Sequence, residues 1–216
     1  MPKSKKHNTA KVKAVLFDID GCLVDSLVSN SIYVQRLVTA AGLKAPTLEQ
    51  YSRVYYKTLP DVFKEFTGLA KKDSDKLLKK LVLHVRHPVH MQKVAPRARE
   101  VLKNLSKKYI LGIVTNRVEL GVNRFFTVFG GRHLFPYIVS YEDFTRPKPD
   151  PEPLKIALKK MGIKPHEAVY VGDSKSDWQA AKAAGIHFVG FAYPFKKAVK
   201  GAAWIKSISQ LPRHLN

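Results

Sequence analysis

Phe17-Asp18-Ile19-Asp20-Gly21 closes an apolar run from Val12 to Phe17. A buried strand that stops at two carboxylates two positions apart, with Gly and a turn directly after, delivers both acids to the C-terminal edge of a sheet. That is where α/β proteins keep their sites. The pair reads as a metal-assisted active site. Asp-x-Asp-Gly is short enough to arise by chance, so its weight depends on partners elsewhere in the chain.

Three further apolar runs end in polar residues. Ile113-Val114 is followed by Thr115-Asn116, Tyr137–Ser140 by the loop Arg146-Pro147-Lys148-Pro149, and Val169-Tyr170-Val171 by Gly172-Asp173-Ser174-Lys175-Ser176-Asp177. In a parallel sheet these ends share one edge, so a hydroxyl, an ammonium and a second pair of acids converge on Asp18 and Asp20. Lys148 stands out among the lysines because the flanking prolines restrict its loop and fix where the ammonium points. Asp177, four residues after Asp173, lies one helical turn on, and the helix dipole favours an acid in a first turn.

The elements that must position these residues are legible as alternating short apolar runs and helix-period segments, the pattern of a parallel sheet wrapped by helices. Strands are expected at Val12–Phe17, Ile110–Val114, Tyr137–Ser140, Ala168–Val171 and Phe188–Phe191. Ala98, Val101, Leu102 and Leu105 recur at i, i+3, i+4, i+7, as do Leu154, Ala157, Leu158 and Met161, giving two amphipathic helices. Gly162 and Gly185 stop their helices as a C-terminal Gly does. Between the first strand and Pro96 no strand is expected: Leu27–Ala41 reads helical, Pro60 opens Asp61–Thr67, and Leu77, Leu78, Leu81, Val82 and Val85 mark another apolar face. The fold class is therefore α/β, a Rossmann-like parallel sheet in a three-layer α/β/α core with an inserted helical cap. The boundaries are a basic, flexible tail over 1–11, core over 12–25 and 96–216, and cap over 26–95, with hinges at Leu23–Ser26 and His87–Ala95.

The chain has 216 residues, enough for one substantial core and a smaller lobe. Cys22 is its only cysteine, so no internal disulfide forms. No apolar stretch approaches the ~18 residues that span a bilayer, and the expected location is cytoplasmic, with no membrane partner. With 38 Lys and Arg against 17 Asp and Glu, the net charge of +21 raises the local concentration of anions, whether phosphorylated metabolites or nucleic acid. The lysines are spread through the sequence, at Lys71, Lys72, Lys76, Lys79 and Lys80, Lys107-Lys108, Lys159-Lys160 and Lys196-Lys197, which reads as solvated surface more than as a binding stripe.

In order, the motifs are VLFDIDGCLVDS, VTN, RPKPDP and VGDSKSDWQAAKAAG, spanning residues 15 to 185. So arranged, the chain resembles the haloacid dehalogenase superfamily of phosphohydrolases, in its phosphoglycolate phosphatase-like branch with a helical cap. The resemblance implies a Mg²⁺-dependent phosphatase of small anionic phosphate monoesters that works through an aspartyl-phosphate. It implies Asp18 as nucleophile and Asp20 as general acid and base. Thr115 and Asn116 would bind the phosphoryl group, and Lys148 would neutralise its charge. The metal would be held by Asp18, the Asp20 backbone carbonyl and Asp173, with Asp177 supporting the metal waters or Lys148. Thr115 suits a helix N-cap equally well. Asp20 argues against a dehalogenase, which needs no second acid. A phosphotransferring mutase uses the same residues, and a nucleic-acid-binding or nucleic-acid-processing protein on this fold stays open because of the charge. The substrate, the cap residues that choose it and the oligomeric state are not legible.

His84, His87 and His90 look like a metal cluster but are expected not to be one, because Pro88 interrupts the helix that would align them. Tyr51, Tyr55, Tyr56, Phe63 and Phe66 are expected to fill the cap core. Cys22 stands where the family usually has Thr or Val, which weakens any hydroxyl hydrogen bond there.

Overall fold

The computed structural model of the protein describes residues 11–192, 199 and 201–215. The tail assigned to 1–11 lies, but for Lys11, outside the described residues, as does the Lys196-Lys197 pair.

Among the described residues six parallel strands form the central sheet: β1 (Ala14–Phe17), β4 (Ile110–Val114), β5 (Tyr137–Val139), β6 (Ala168–Gly172), β7 (His187–Gly190) and β8 (Ala203–Trp204), in the order β5-β4-β1-β6-β7-β8. β1 sits at the centre, and its alternating side chains explain the run of apolar residues without a polar face. Val15 and Phe17 pack with α5 (Ala98–Leu105) and α6 (Glu119–Phe129), while Ala14 and Leu16 pack with α7 (Glu152–Met161) and α8 (Lys175–Ala184). A strand covered on both faces reads as continuous hydrophobics. Each fully buried large side chain, such as Phe17 or Tyr170, contributes roughly 1.5–3 kcal/mol.

Between β1 and β4 the chain leaves the sheet and makes α1 (Leu27–Ala40), α2 (Leu48–Val54), α3 (Leu59–Thr67) and α4 (Lys71–His84), which share a separate apolar cluster around Leu37, Tyr51, Phe63 and Leu78. α3 opens on Thr58, with Pro60 in its first turn. α2 opens on a Thr47–Gln50 capping box that the sequence reading passed over. The expectation of no strand before Pro96 needs one correction. β2 (Val24–Asp25) and β3 (Lys93–Val94) pair antiparallel, tying the outgoing chain to the returning one, and Ala95 N–H donates to the Leu23 carbonyl. Two-residue strands carry no periodicity, so nothing local announces them. β8, equally short, was missed for the same reason. Gly162 and Gly185 end their helices in the left-handed conformation, at φ 65° and 72°.

Among the described residues no helix is long and apolar enough to cross a membrane. The lysines of α4, Lys107 and Lys108 in the turn after α5, and Lys159 and Lys160 near the end of α7 are all exposed.

Candidate active site

Sheet register brings the polar residues together. Phe17 lies opposite Ile113 of β4 and Val171 of β6, and Asp18 N–H donates to the Val171 carbonyl at 2.9 Å. The residues just beyond these strands, Asp18, Thr115 and Asp173, therefore reach one edge at the middle of the sheet, and all three are buried. Lys148 enters from the loop after β5.

Lys148 is 5% exposed, and its Nζ lies 3.0 Å from Asp18 Oδ1 and 2.7 Å from Asp177 Oδ1, while donating to the Tyr170 hydroxyl at 2.8 Å. Asp177 also accepts from Tyr170, from the backbone N–H of Asp173 and Ser174, and from Ser174 Oγ at 2.6 Å. It is thus both the capping-box acid of α8 and the anchor of Lys148. Gly172 makes room for it: a Cβ there would stand 2.6 Å from the Asp177 carboxyl carbon.

Asp18, Asp173 and Asp177 each turn a carboxylate oxygen to within 4.8 Å of the others. Burial, opposed by Lys148 and reinforced by Asp177 and Asp20, pushes the Asp18 carboxyl up to about 6. Burial also works against the Lys148 ammonium, yet Asp177 and Asp18 hold it above its ordinary value. Asp177 stays below the usual carboxylate range, where Lys148 and the hydrogen bonds outweigh burial.

Asp20 is held otherwise. Arg117 donates to both of its oxygens at 2.6 Å, and Ser26 Oγ and Asn30 Nδ2 donate to Oδ1. Burial is again the largest influence, but the guanidinium and these donors overcome it and bring Asp20 down to about 2. Ser26 precedes α1 yet does not cap it, because its hydroxyl is spent on Asp20 and on the Tyr55 hydroxyl 2.9 Å away.

Asn116 lines the cleft and also braces the Lys148 loop: its Oδ1 accepts the Lys148 N–H at 3.2 Å, and its Nδ2 donates to the Tyr56 carbonyl at 3.1 Å. Thr115 is not an N-cap, since α6 begins four residues later behind Val118; its hydroxyl accepts from Arg117 N–H at 3.3 Å. Cys22 is buried, its thiol directed at the Val171 carbonyl 3.7 Å away, and burial raises its pKa. Among the described residues the three histidines form no metal group: His84 and His90 are exposed, and His87 Nε2 sits 3.0 Å from Asn30 Oδ1. Tyr51 and Phe63 are buried in the cap cluster, but Tyr56 is 49% exposed and lines the cleft.

The sequence reading missed Arg117, Ser26, Asn30 and Tyr170. Arg117 directly follows Val-Thr-Asn, and Ser26 ends the first motif, so position was the only signal for either. A cavity of about 870 Å³ opens from Asp18 and Asp173 towards α1, α2 and α4.

A parallel sheet with acids just beyond β1 and β6, and a buried lysine bonded to the first of them and to Asp177 of α8, defines a class. The chain belongs to the haloacid dehalogenase-like hydrolase family, whose sequence pattern matches residues 15–191. Within it, the chain is 32% identical over 198 residues to pyrophosphatase PpaX of Bacillus velezensis, with 87% of each chain covered. It is 29% identical over 194 residues to a phosphoglycolate phosphatase of Haemophilus influenzae, covering 85% of this chain and 87% of that one. The crystal structure of a HAD-superfamily hydrolase, subfamily IA, from Geobacter sulfurreducens superposes with a TM-score of 0.76 at 27% identity, covering 94% of this chain and 100% of the other.

Proposed function

We propose that the chain is a Mg²⁺-dependent phosphatase of small phosphate monoesters, with Asp18 carrying the phosphoryl group between two half-reactions. The observation that carries this reading is the set of three buried carboxylates within 4.8 Å of one another, with Lys148 bonded to two of them. Three acids against one ammonium leave a buried excess of negative charge, and burial, reinforced by Asp177 and Asp20 and opposed by Lys148, already pushes Asp18 up to about 6. Such an all-oxygen set fits a hard divalent cation. Asp18 and Asp173, with the Asp20 backbone carbonyl, would hold Mg²⁺; Asp177, whose oxygens are committed to Lys148, Tyr170 and Ser174, would fix the lysine. When bound, Mg²⁺ offsets the repulsion between the carboxylate nucleophile and the phosphate dianion.

An Asp18 oxygen attacks phosphorus as the bond to the leaving oxygen breaks, and Lys148 and Thr115 hold the phosphoryl oxygens. Asp20 gives the leaving alcohol a proton, then takes one from the water that attacks phosphorus and releases Asp18. As Arg117 holds it, Asp20 is a base and not an acid, so the first proton transfer requires Arg117 to withdraw. Incoming phosphate, an anion, competes for that guanidinium.

Incubation with a phosphate monoester and Mg²⁺, followed by acid quench, should leave a phosphate adduct on the Asp18 peptide that the Asp18→Asn protein lacks. Release of inorganic phosphate, not of an isomeric ester, identifies hydrolysis over mutase chemistry. Phosphate release without any adduct would refute the covalent route, and no release from any ester would refute the phosphatase.

A further inference from the structure

Cations that lie far apart in the sequence are gathered by the sheet. The catalytic acids stand at the C-terminal edge of the strands, and the opposite edge, where the strands begin, carries cations at one entry after another. Lys11 and Lys13 lead into β1, Lys107 and Lys108 into β4, Arg132 into β5 and Lys164 into β6, and all six are exposed. These strands are neighbours in the order β5-β4-β1-β6. Register sets their entries level: Ala14 lies opposite both Ile110 and Ala168, and Gly112 opposite Tyr137. The Lys13 carbonyl accepts the Ile110 N–H, and Lys13 N–H donates to the Glu167 carbonyl. With strands about 4.8 Å apart, the cations form a row about 14 Å long across the sheet.

Little in the protein neutralises this row. In the four entry segments, 11–13, 106–109, 130–136 and 162–167, Glu167 is the one acid. It is already taken, with Lys13 Nζ 2.7 Å away and the Lys164 N–H donating to it at 3.0 Å. Among the described residues the other five cations make no ion pair. Helix dipoles do not account for them either. A dipole favours cations in a last turn, such as Lys103 of α5 or Lys159 and Lys160 of α7, but it fades beyond that turn. Lys107, Lys108, Arg132 and Lys164 all stand two or more residues past the ends of α5, α6 and α7. Arg132 is held in place, donating to Asn123 Oδ1 at 3.1 Å and lying over the Phe126 ring at 5.1 Å. Like charges set in a row repel one another, and an anion with charges at intervals relieves them together.

We propose that this edge binds duplex nucleic acid through its phosphates, without reading sequence. A duplex carries one negative charge per about 1.7 Å of its axis, so a row of this length meets several at once. Single strands are held largely by stacking on aromatic side chains, and the entry segments expose none: Tyr109 is half-buried against the core cluster and Phe135 is buried. The large apolar side chains that are exposed, among them Leu43, Leu48 and Leu83, lie elsewhere, so an acidic membrane would find charge here without anything to insert. Asp18 stands five residues along β1 from Lys13, about 16 Å at about 3.3 Å per residue. That exceeds the screening length of about 8 Å at physiological salt, so the catalytic acids do not repel a duplex bound at this edge.

The test uses the full chain and a short fluorescent DNA duplex of mixed sequence, with binding read by anisotropy. If about four phosphates are neutralised, affinity should fall roughly a hundredfold between about 50 and 200 mM salt. A duplex of shuffled sequence should bind equally well. Lys107→Ser with Lys108→Ser, and separately Arg132→Ser with Lys164→Ser, should each weaken binding at the lowest salt by about tenfold or more and flatten the salt dependence. Lys76→Ser with Lys80→Ser removes the same charge from α4 and should change affinity by less than about twofold, which separates a located site from net charge. All these side chains are exposed, and unchanged unfolding temperatures would show the variants folded. Failure to bind at low salt, edge variants that bind as the intact chain does, or an equal loss from the α4 pair would overturn the proposal. So would tighter binding to the single strand, to phosphatidylserine vesicles or to polyglutamate than to the duplex. None of these results touches the phosphatase reading, which stands or falls on turnover of esters.

Discussion

The two walls of the cleft differ in how far the protein satisfies its own polar groups. On the sheet side, Asp177 is surrounded by Lys148, Tyr170, Ser174 and two backbone N–H groups, and Lys148 is bonded to both Asp18 and Asp177. On the helical side, Gln92 has neither amide atom paired and His87 has a bare Nδ1. A site that repeats one chemical step on many substrates needs the first kind of wall, rigid and complete without a ligand. The unmet groups of the helical side are closed off within the protein, so what they cost is stability. The large effects should therefore come from the sheet side and act on turnover, and the small ones from the helical side and act on stability.

Asp18→Asn is the most severe case. With the nucleophile gone, turnover of any ester should fall by about 10⁴-fold or more. The fold should survive, because a neutral amide relieves the burial and like-charge repulsion that push Asp18 up to about 6. Near-normal turnover, or a collapsed far-ultraviolet circular dichroism spectrum, would break the picture of a separable chemical centre.

Lys148→Ala tests whether the sheet side is one network. It leaves Asp18 and Asp177 buried without their shared cation, which should cost about 3–5 kcal/mol in denaturant unfolding, with activity lost. Saturating Mg²⁺ should return part of that stability by binding the folded state alone. A loss below about 1 kcal/mol would mean that the ion pairs in this wall are individually dispensable. Gly172→Ala is the milder version: its methyl group meets the Asp177 carboxyl carbon at 2.6 Å. Displacing that carboxylate should cost about 1–3 kcal/mol and reduce kcat more than KM, through Lys148.

The same contrast governs what the sequence made legible. Strand ends announce themselves, because an apolar run must stop and the residue after it falls at the sheet edge; Asp18, Thr115 and Asp173 were found that way, and Lys148 by its flanking prolines. The sheet and its covering helices came from periodicity, with ends displaced by a residue or two where a terminal residue such as Val12 lacks a ladder partner. α2 was invisible because seven residues give barely two turns of pattern. The Arg117–Asp20 pair joins positions 97 apart, and nothing local in either segment calls for the other. His87 was dismissed with its neighbours as a false metal cluster. Its link to Asn30 depends on how α1 lies against the returning chain, a tertiary fact with no sequence period.

The smallest effect separates His87 from everything around it. In the folded chain its pKa is lowered to about 3 from 6.5, by burial first and then by Arg117, Arg124 and Arg36, against a weaker opposing pull from Asp20. Below pH 6.5 the unfolded chain takes up a proton that the folded one refuses, so this group's contribution is fully present above 6.5 and is lost as pH falls towards 3. One unit below 6.5 the loss is about 1.4 kcal/mol. Asp18 works in the opposite sense over the same window: its folded value near 6 means the native state binds the extra proton, and stability rises as pH drops through it. Asp20, held at about 2, keeps its contribution in full above its ordinary 3.8 and loses it only below that, so it is silent here. The total pH dependence of the intact protein is therefore a partial cancellation, and the informative quantity is a difference. Between pH 7 and 5.5 the intact protein should lose about 1 kcal/mol more than His87→Asn, which keeps Asp18 and removes the imidazole. Parallel curves for the two proteins would mean that His87 accepts a proton as readily folded as unfolded. The bare acceptor that sets the helical wall apart from the sheet wall would then not exist.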